Sequence, residues 1–289
     1  MPIIGSVIRP PAEADSFLLQ VTVGCSAAQC AFCAAYADKS FCVKPADEIN
    51  ADIRNQAARH PYTRRIFLLD GDALVLPNRQ IIPILQSLRA SFPTLSRISS
   101  YANAFHLCRR TERELSELAA ENLKLVYVGL ESGAQSVLDR VRKRATVAES
   151  VEGVRRAAAC GIKSSVMVLL GLGGREASDE HVRETIDALN RMQPRYLSLL
   201  SLMLIEGTPL FQAAGQGFFT PLSDREMLRE TRALLAGLEL EGTVFTCNHA
   251  SNFLPLAGRL PRDRERLLSE IDAARAGRIA LRPEWLRGL

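Results

Sequence analysis

The chain has 289 residues, 47% hydrophobic and 24% charged, in the ordinary range of a soluble globular protein and enough for one large core. A net charge of +4, spread along the chain, gives no case for a nucleic-acid or membrane partner, and no apolar run reaches the ~18 residues of a spanning helix. The first eleven residues lack a basic start and a long apolar run, so no signal peptide is expected, and seven cysteines without disulfide-scaffold spacing suit a reducing cytoplasm.

Short apolar runs alternate with amphipathic stretches. Strands are expected at 17–23, 66–70, 97–101, 125–130, 164–170 and 196–203. Most are nearly continuous in Val, Ile, Leu or Tyr, as strands buried on both faces should be; 97–101 is half polar. Between them a helix starts at Pro45 and runs to about residue 60, and others cover 78–91 and 179–192. Capping boxes open further helices at Thr111–Glu114, Thr146–Glu149 and Ser223–Glu226, and Gly161 ends the helix 147–160. Past the sixth strand come a candidate extra strand at 243–247 and a helix near 263–276. Six strands alternating with helices imply a parallel sheet with right-handed crossovers.

Ligands of parallel α/β folds bind where strands end at their carboxyl sides. After the first strand stand Cys25, Cys30 and Cys33, three thiols in nine residues and one short of a closed four-ligand metal site. After the second, Asp70 and Asp72 flank Gly71, which lets backbone approach a ligand; an Asp-Gly turn is the plain alternative. Tyr101 ends the third, as a hydrogen-bonding phenol or an edge-packing ring. Gly129-Leu-Glu-Ser-Gly133 ends the fourth. There Glu131 needs a bound partner or a salt bridge to a basic neighbour. Gly171 and Gly173 fall in the glycine run after the fifth, which fits neither a P-loop nor a dinucleotide fingerprint.

The cysteine loop and the strand-end motifs arriving in order resemble the radical SAM superfamily over most of residues 17–210. The loop reads C-x4-C-x2-C where the superfamily's usual spacing is C-x3-C-x2-C, one residue longer, a small entropic cost. The resemblance implies an open (β/α)6 partial barrel, an α/β fold, at 17–215, with a lead-in at 1–16 and a C-terminal helical extension at 216–289. It implies a [4Fe-4S] cluster on Cys25, Cys30 and Cys33, with S-adenosylmethionine (SAM) on the fourth iron. It places Phe32 against the adenine and Asp70, Gly71, Asp72, Glu131 and Ser132 around SAM. Gly171 and Gly173 then shape the adenine side. The expected activity is cleavage of SAM to a 5′-deoxyadenosyl radical that abstracts hydrogen from a small-molecule substrate, with electrons from a flavodoxin- or ferredoxin-like donor. Gly207-Thr-Pro-Leu210 is similar to relatives of oxygen-independent coproporphyrinogen oxidase.

Residues 245–256 crowd Cys247, Asn248, His249, Ser251 and Asn252 into six positions. A structural turn is one reading. The other is a substrate-facing loop in which His249 moves a proton and Cys247 gives a hydrogen atom. Three competing functions remain: a zinc site completed by Cys42, an ordinary barrel hydrolase or lyase that needs no cluster, and a radical SAM enzyme that modifies RNA or protein.

Overall fold

The computed structural model describes residues 3–288. Strands β1 (Phe17–Gln20), β2 (Thr22–Val23) and β3 (Cys42–Val43) precede α1 (Ala46–Arg59), β4 (Arg65–Leu69), α2 (Asn78–Ser91), β5 (Arg97–Tyr101), α3 (Ala104–Arg109), α4 (Glu112–Ala120) and β6 (Leu123–Glu131). There follow α5 (Gln135–Arg140), α6 (Val147–Ala159), β7 (Lys163–Leu170), α7 (Ser178–Met192), β8 (Tyr196–Ser201), α8 (Pro209–Gly215), α9 (Asp224–Gly237), β9 (Thr243–Cys247), β10 (Leu256–Leu260) and α10 (Arg264–Arg275).

Eight strands form one sheet in the order β1-β4-β5-β6-β7-β8-β9-β10, with edges at β1 and β10. β9 joins β8 in parallel, and β10 pairs antiparallel with β9. This is the connectivity of an open (β/α)6 partial barrel extended by a terminal hairpin. The buried strands are apolar for the expected reason: Ile66, Phe67, Leu68 and Leu69 are each 0% exposed, covered on both faces. All three capping boxes form, Thr111 with Glu114, Thr146 with Glu149 and Ser223 with Glu226.

The expected strand at 17–23 divides in two. β1 pairs with β4 as far as Gln20 opposite Leu69, and Asp70 then turns away with φ +69. With its ladder partner gone, Thr22–Val23 pairs instead with Cys42–Val43, antiparallel.

The chain packs as two compact units. The first comprises 1–28, 33–128 and 153–164; the second comprises 29–32, 129–152 and 165–289. In the first, Glu13 of the lead-in is buried, accepting from Arg97 at 2.8 Å and from the Tyr127 hydroxyl at 2.7 Å. In the second, α7 and α9 pack on each other and α9 on α10.

Candidate active site

In the first unit the site grows from the end of β4. Asp70 is fully buried, and its carboxylate accepts from Gln20 Nε2 at 2.7 Å, Gly24 N at 3.0 Å and Lys39 Nζ at 2.8 Å. Gly24 and Lys39 stand on either side of the cysteine loop in sequence. Asp70 therefore fastens both ends of the loop to the sheet, and the three bonds occupy the carboxylate expected to receive an amine. Gly71 donates to Gly24 O at 3.0 Å, and a Cβ added to it would lie 2.6 Å from Cys25 Cβ and 2.8 Å from Cys25 Sγ. Glycine is required there by close approach.

Asp72 is also fully buried. Its Oδ2 accepts from Ser26 Oγ at 3.2 Å and contacts His106 Nδ1 closely, whereas Oδ1 is buried with no hydrogen-bond partner. A buried acceptor without a donor is costly, and a cationic ligand group would relieve it. His106 reaches it from α3, which Asn103 caps by accepting from Phe105 N at 3.1 Å. Tyr101 packs edge-on against Phe67 and Tyr127, with ring centroids 5.2 and 5.9 Å away. Tyr36 is half-buried near Tyr101, Asp70, Cys25 and Cys33, and desolvation, with the acidic groups around it, raises its phenol. Sequence reasoning missed both Tyr36 and His106. An aromatic three positions after Cys33 was a usable signal for the first; a six-residue helix gave none for the second.

None of the three cysteines is in a disulfide; Cys25 and Cys30 are partly buried and Cys33 is exposed. Among the described residues, no three Cys, His, Asp or Glu side chains gather as one metal ion requires. A four-iron cluster makes a different demand, one thiolate at each of several irons, and three thiols on one loop fit that donor set. Cys42 is exposed on β3, opposite Val23.

In the second unit Ala31 donates to Val141 O at 2.8 Å and accepts from Leu210 N at 2.9 Å; Phe32 beside it is half-buried. Glu131 ends β6 with φ +63, a left-handed conformation that non-glycine residues adopt at a cost. Lys143 Nζ donates to its Oε1 at 3.0 Å, the salt-bridge alternative. Ser132 Oγ is buried, 2.7 Å from His181 Nδ1, and accepts from Ala134 N at 3.0 Å. Gly171 N donates to Glu230 Oε1 at 2.8 Å. Gly173 is buried in the following turn, where a Cβ would lie 2.8 Å from Ala177 O.

The 245–256 segment is mostly spent on structure. Ser251 Oγ accepts from Ser201 N at 3.1 Å, Asn252 Oδ1 accepts from Ser201 Oγ at 2.9 Å, and Asn252 Nδ2 donates to Leu199 O at 2.8 Å. His249 Nδ1 lies 2.9 Å from Ser251 Oγ, and burial plus nearby Arg282 hold its imidazole below the usual range. Cys247 corrects the sequence expectation. It borders the same small void as Met227, Leu228 and Thr231 of α9, and burial pushes its thiol up to about 12. It shares its face of β9 with buried Phe245 and Thr243, so it is a packing residue against the helix layer.

The radical SAM superfamily matches residues 19–189, more than half of the chain. The chain belongs to that superfamily. Membership makes it an enzyme with a [4Fe-4S] cluster and SAM as cofactors. Solved structures of radical SAM proteins share its fold. Methylornithine synthase (PylB) is similar at 14% identity and TM-score 0.55, with 89% of this chain and 68% of that one covered. Coproporphyrinogen III oxidase (HemN) from Escherichia coli is similar at 16% identity and TM-score 0.55, covering 76% and 52%. The radical SAM methyltransferase TsrM from Kitasatospora setae, with cobalamin and a [4Fe-4S] cluster bound, is similar at 20% identity and TM-score 0.56, covering 70% and 39%. At such identities the likeness is one of fold. No curated protein matches the chain. No helix among the described residues is long and apolar enough to cross a membrane.

Proposed function

We propose that this radical SAM enzyme abstracts hydrogen from a small organic substrate, with Cys25, Cys30 and Cys33 as the cluster ligands. Bound together, the cluster and SAM supply a 5′-deoxyadenosyl radical, on receipt of one electron from an external ferredoxin- or flavodoxin-like reductant. The chain's own residues hold and orient these groups. Asp70 clamps the cysteine loop through Gly24 and Lys39. Asp72 Oδ1, buried without a donor, would accept from the SAM ammonium through a charge-assisted hydrogen bond. Glu131 would approach SAM from the end of β6, with buried Ser132 holding that turn from behind; Gly171 and Gly173 would shape the adenine side and Phe32 would lie against the ring.

The observation that carries the assignment is in the first unit. The turn packed on Cys25 through Gly71 ends in a buried carboxylate oxygen without a donor, Asp72 Oδ1. A cationic amine next to a thiolate-held cluster is what that pairing accommodates.

The test is anaerobic reconstitution with iron and sulfide, followed by SAM and dithionite, with 5′-deoxyadenosine measured beside Cys30→Ala. Product that disappears in the variant supports the assignment. A reconstituted wild type that binds no iron and makes no 5′-deoxyadenosine overturns it.

A further inference from the structure

A chain of buried groups in the second unit joins the two segments assigned to SAM at 131–134 and 170–174. Ala134 N donates to Ser132 Oγ at 3.0 Å, and Ser132 Oγ lies 2.7 Å from His181 Nδ1. On the other side of the ring, His181 Nε2 lies 3.2 Å from Glu230 Oε1, a close contact that lacks hydrogen-bond alignment. Glu230 Oε1 accepts from Gly171 N at 2.8 Å, and its Oε2 accepts from Ser178 Oγ at 2.7 Å. One turn beyond His181 on α7, Thr185 Oγ1 accepts from Gly133 N at 2.8 Å. Ser132 and His181 are 0% exposed and Glu230 is 2% exposed.

A carboxylate and an imidazole in a core are expensive, and apolar residues of similar volume would stabilise the fold at least as well. Their retention calls for a task other than packing. Hydroxyl, imidazole and carboxylate stand in the order of a hydrolytic triad, yet nothing outside the protein reaches a serine with no exposed surface. The chain orients; it does not react.

We infer that His181 and Glu230 are positioning residues for SAM, His181 holding the Glu131–Ser132 turn and Glu230 the Gly171–Gly173 turn, with the two side chains packed against each other. His181 fixes Ser132, and with it the strained residue Glu131. Glu230 fixes the Gly171 amide at the start of the glycine turn. This inference rests on the reading that both turns face SAM.

The experiment uses the full-length, cluster-loaded protein without reductant, so that SAM binds but is not cleaved. Radiolabelled SAM is titrated by equilibrium dialysis against wild type, His181→Ala, His181→Asn, Glu230→Gln and Leu189→Ala. Leu189 is buried on the same helix and serves as a packing control. Amide hydrogen exchange is followed at 131–134 and 170–174. His181→Ala and Glu230→Gln are expected to weaken SAM binding by about 10- to 100-fold, the usual cost of removing a supporting shell. Each is also expected to quicken exchange in both segments, including the one its own side chain does not touch. His181→Asn, whose amide oxygen replaces Nδ1 toward Ser132, is expected to regain most of the affinity. Leu189→Ala is expected to melt earlier yet bind SAM as wild type does. Unchanged affinity in both His181→Ala and Glu230→Gln overturns the inference, as does an equal loss in Leu189→Ala. Should His181→Ala not fold, His181→Asn and Glu230→Gln decide. A wild type that binds no SAM overturns the SAM reading itself, a result distinct from any difference among the variants.

Discussion

Asp70 and Asp72 stand two residues apart, equally buried, with opposite assignments. Asp70 has three donors from its own chain, one the buried cation Lys39, while Asp72 keeps one oxygen unpartnered. Asp70→Asn strands the Lys39 ammonium, so it is expected to cost about 3–5 kcal/mol in the melt of the cluster-free protein. Asp72→Asn retains an oxygen for Ser26 and His106 and is expected to leave that melt unchanged while weakening SAM binding at least tenfold in dialysis. The reverse pattern would exchange their roles. Gly71→Ala pushes a methyl into Cys25; an overpacking cost of about 1–3 kcal/mol and a lower iron content after reconstitution are expected. Sequence displayed both acids without ranking them. The deciding partners, Gln20, Gly24 and Lys39, lie 31 to 50 positions away, beyond any local pattern. His181 and Glu230 were invisible for a related reason: each occupies an ordinary buried-face position of an amphipathic helix, and only tertiary packing brings them together.

Elements with a strong local signal were legible. Three capping boxes and four almost continuously apolar strands appear where periodicity puts them, because those signals come from the element's own hydrogen bonds and burial. The short helices α3, α5 and α8 were missed, since six or seven residues hold under two turns of pattern. β10 was missed because Gly258 and Arg259 interrupt it and pairing with β9 alone makes it a strand. The 248–252 turn shows how polar residues can look catalytic while serving the backbone. Asn252→Ala leaves the Ser201 hydroxyl and the Leu199 carbonyl without their partner, at a cost of about 1–3 kcal/mol for each buried group left unsatisfied, measurable in urea. His249 adds a pH dependence with a definite sign. Its folded pKa is depressed, so as pH falls below about 6.5 the unfolded chain takes up the proton first and stability drops. His249→Asn is expected to flatten the fall in melting temperature between about pH 7 and pH 5.

At the scale of the whole molecule, alternation of strand and helix conveyed the (β/α)6 order because each crossover is built locally and joins neighbouring strands. The cysteine loop belongs to a different stability class from that sheet. Residues 25–41 hold no helix or strand; Asp70 with Gly24 and Lys39, and Asp38 with Ser6, fasten its borders, and Ala31 pins its middle through two backbone bonds. A segment without helix or strand, held by scattered tethers, is one that opens locally while the core stays folded. Removing iron is therefore expected to leave the far-ultraviolet circular dichroism intact and to expose 25–41 to limited proteolysis. Cluster and SAM act in the opposite sense, since a ligand that binds only the folded state stabilises it by mass action. SAM at a hundred times its dissociation constant contributes about 2.7 kcal/mol, which for a chain of this size raises the melting temperature of the loaded protein by roughly 4–5 °C. The same SAM added to the cluster-free protein is expected to raise it far less, because the iron that receives SAM is missing. An equal rise in both forms would separate SAM binding from the cysteine loop; collapse of the sheet on iron removal would make that loop part of the folding core.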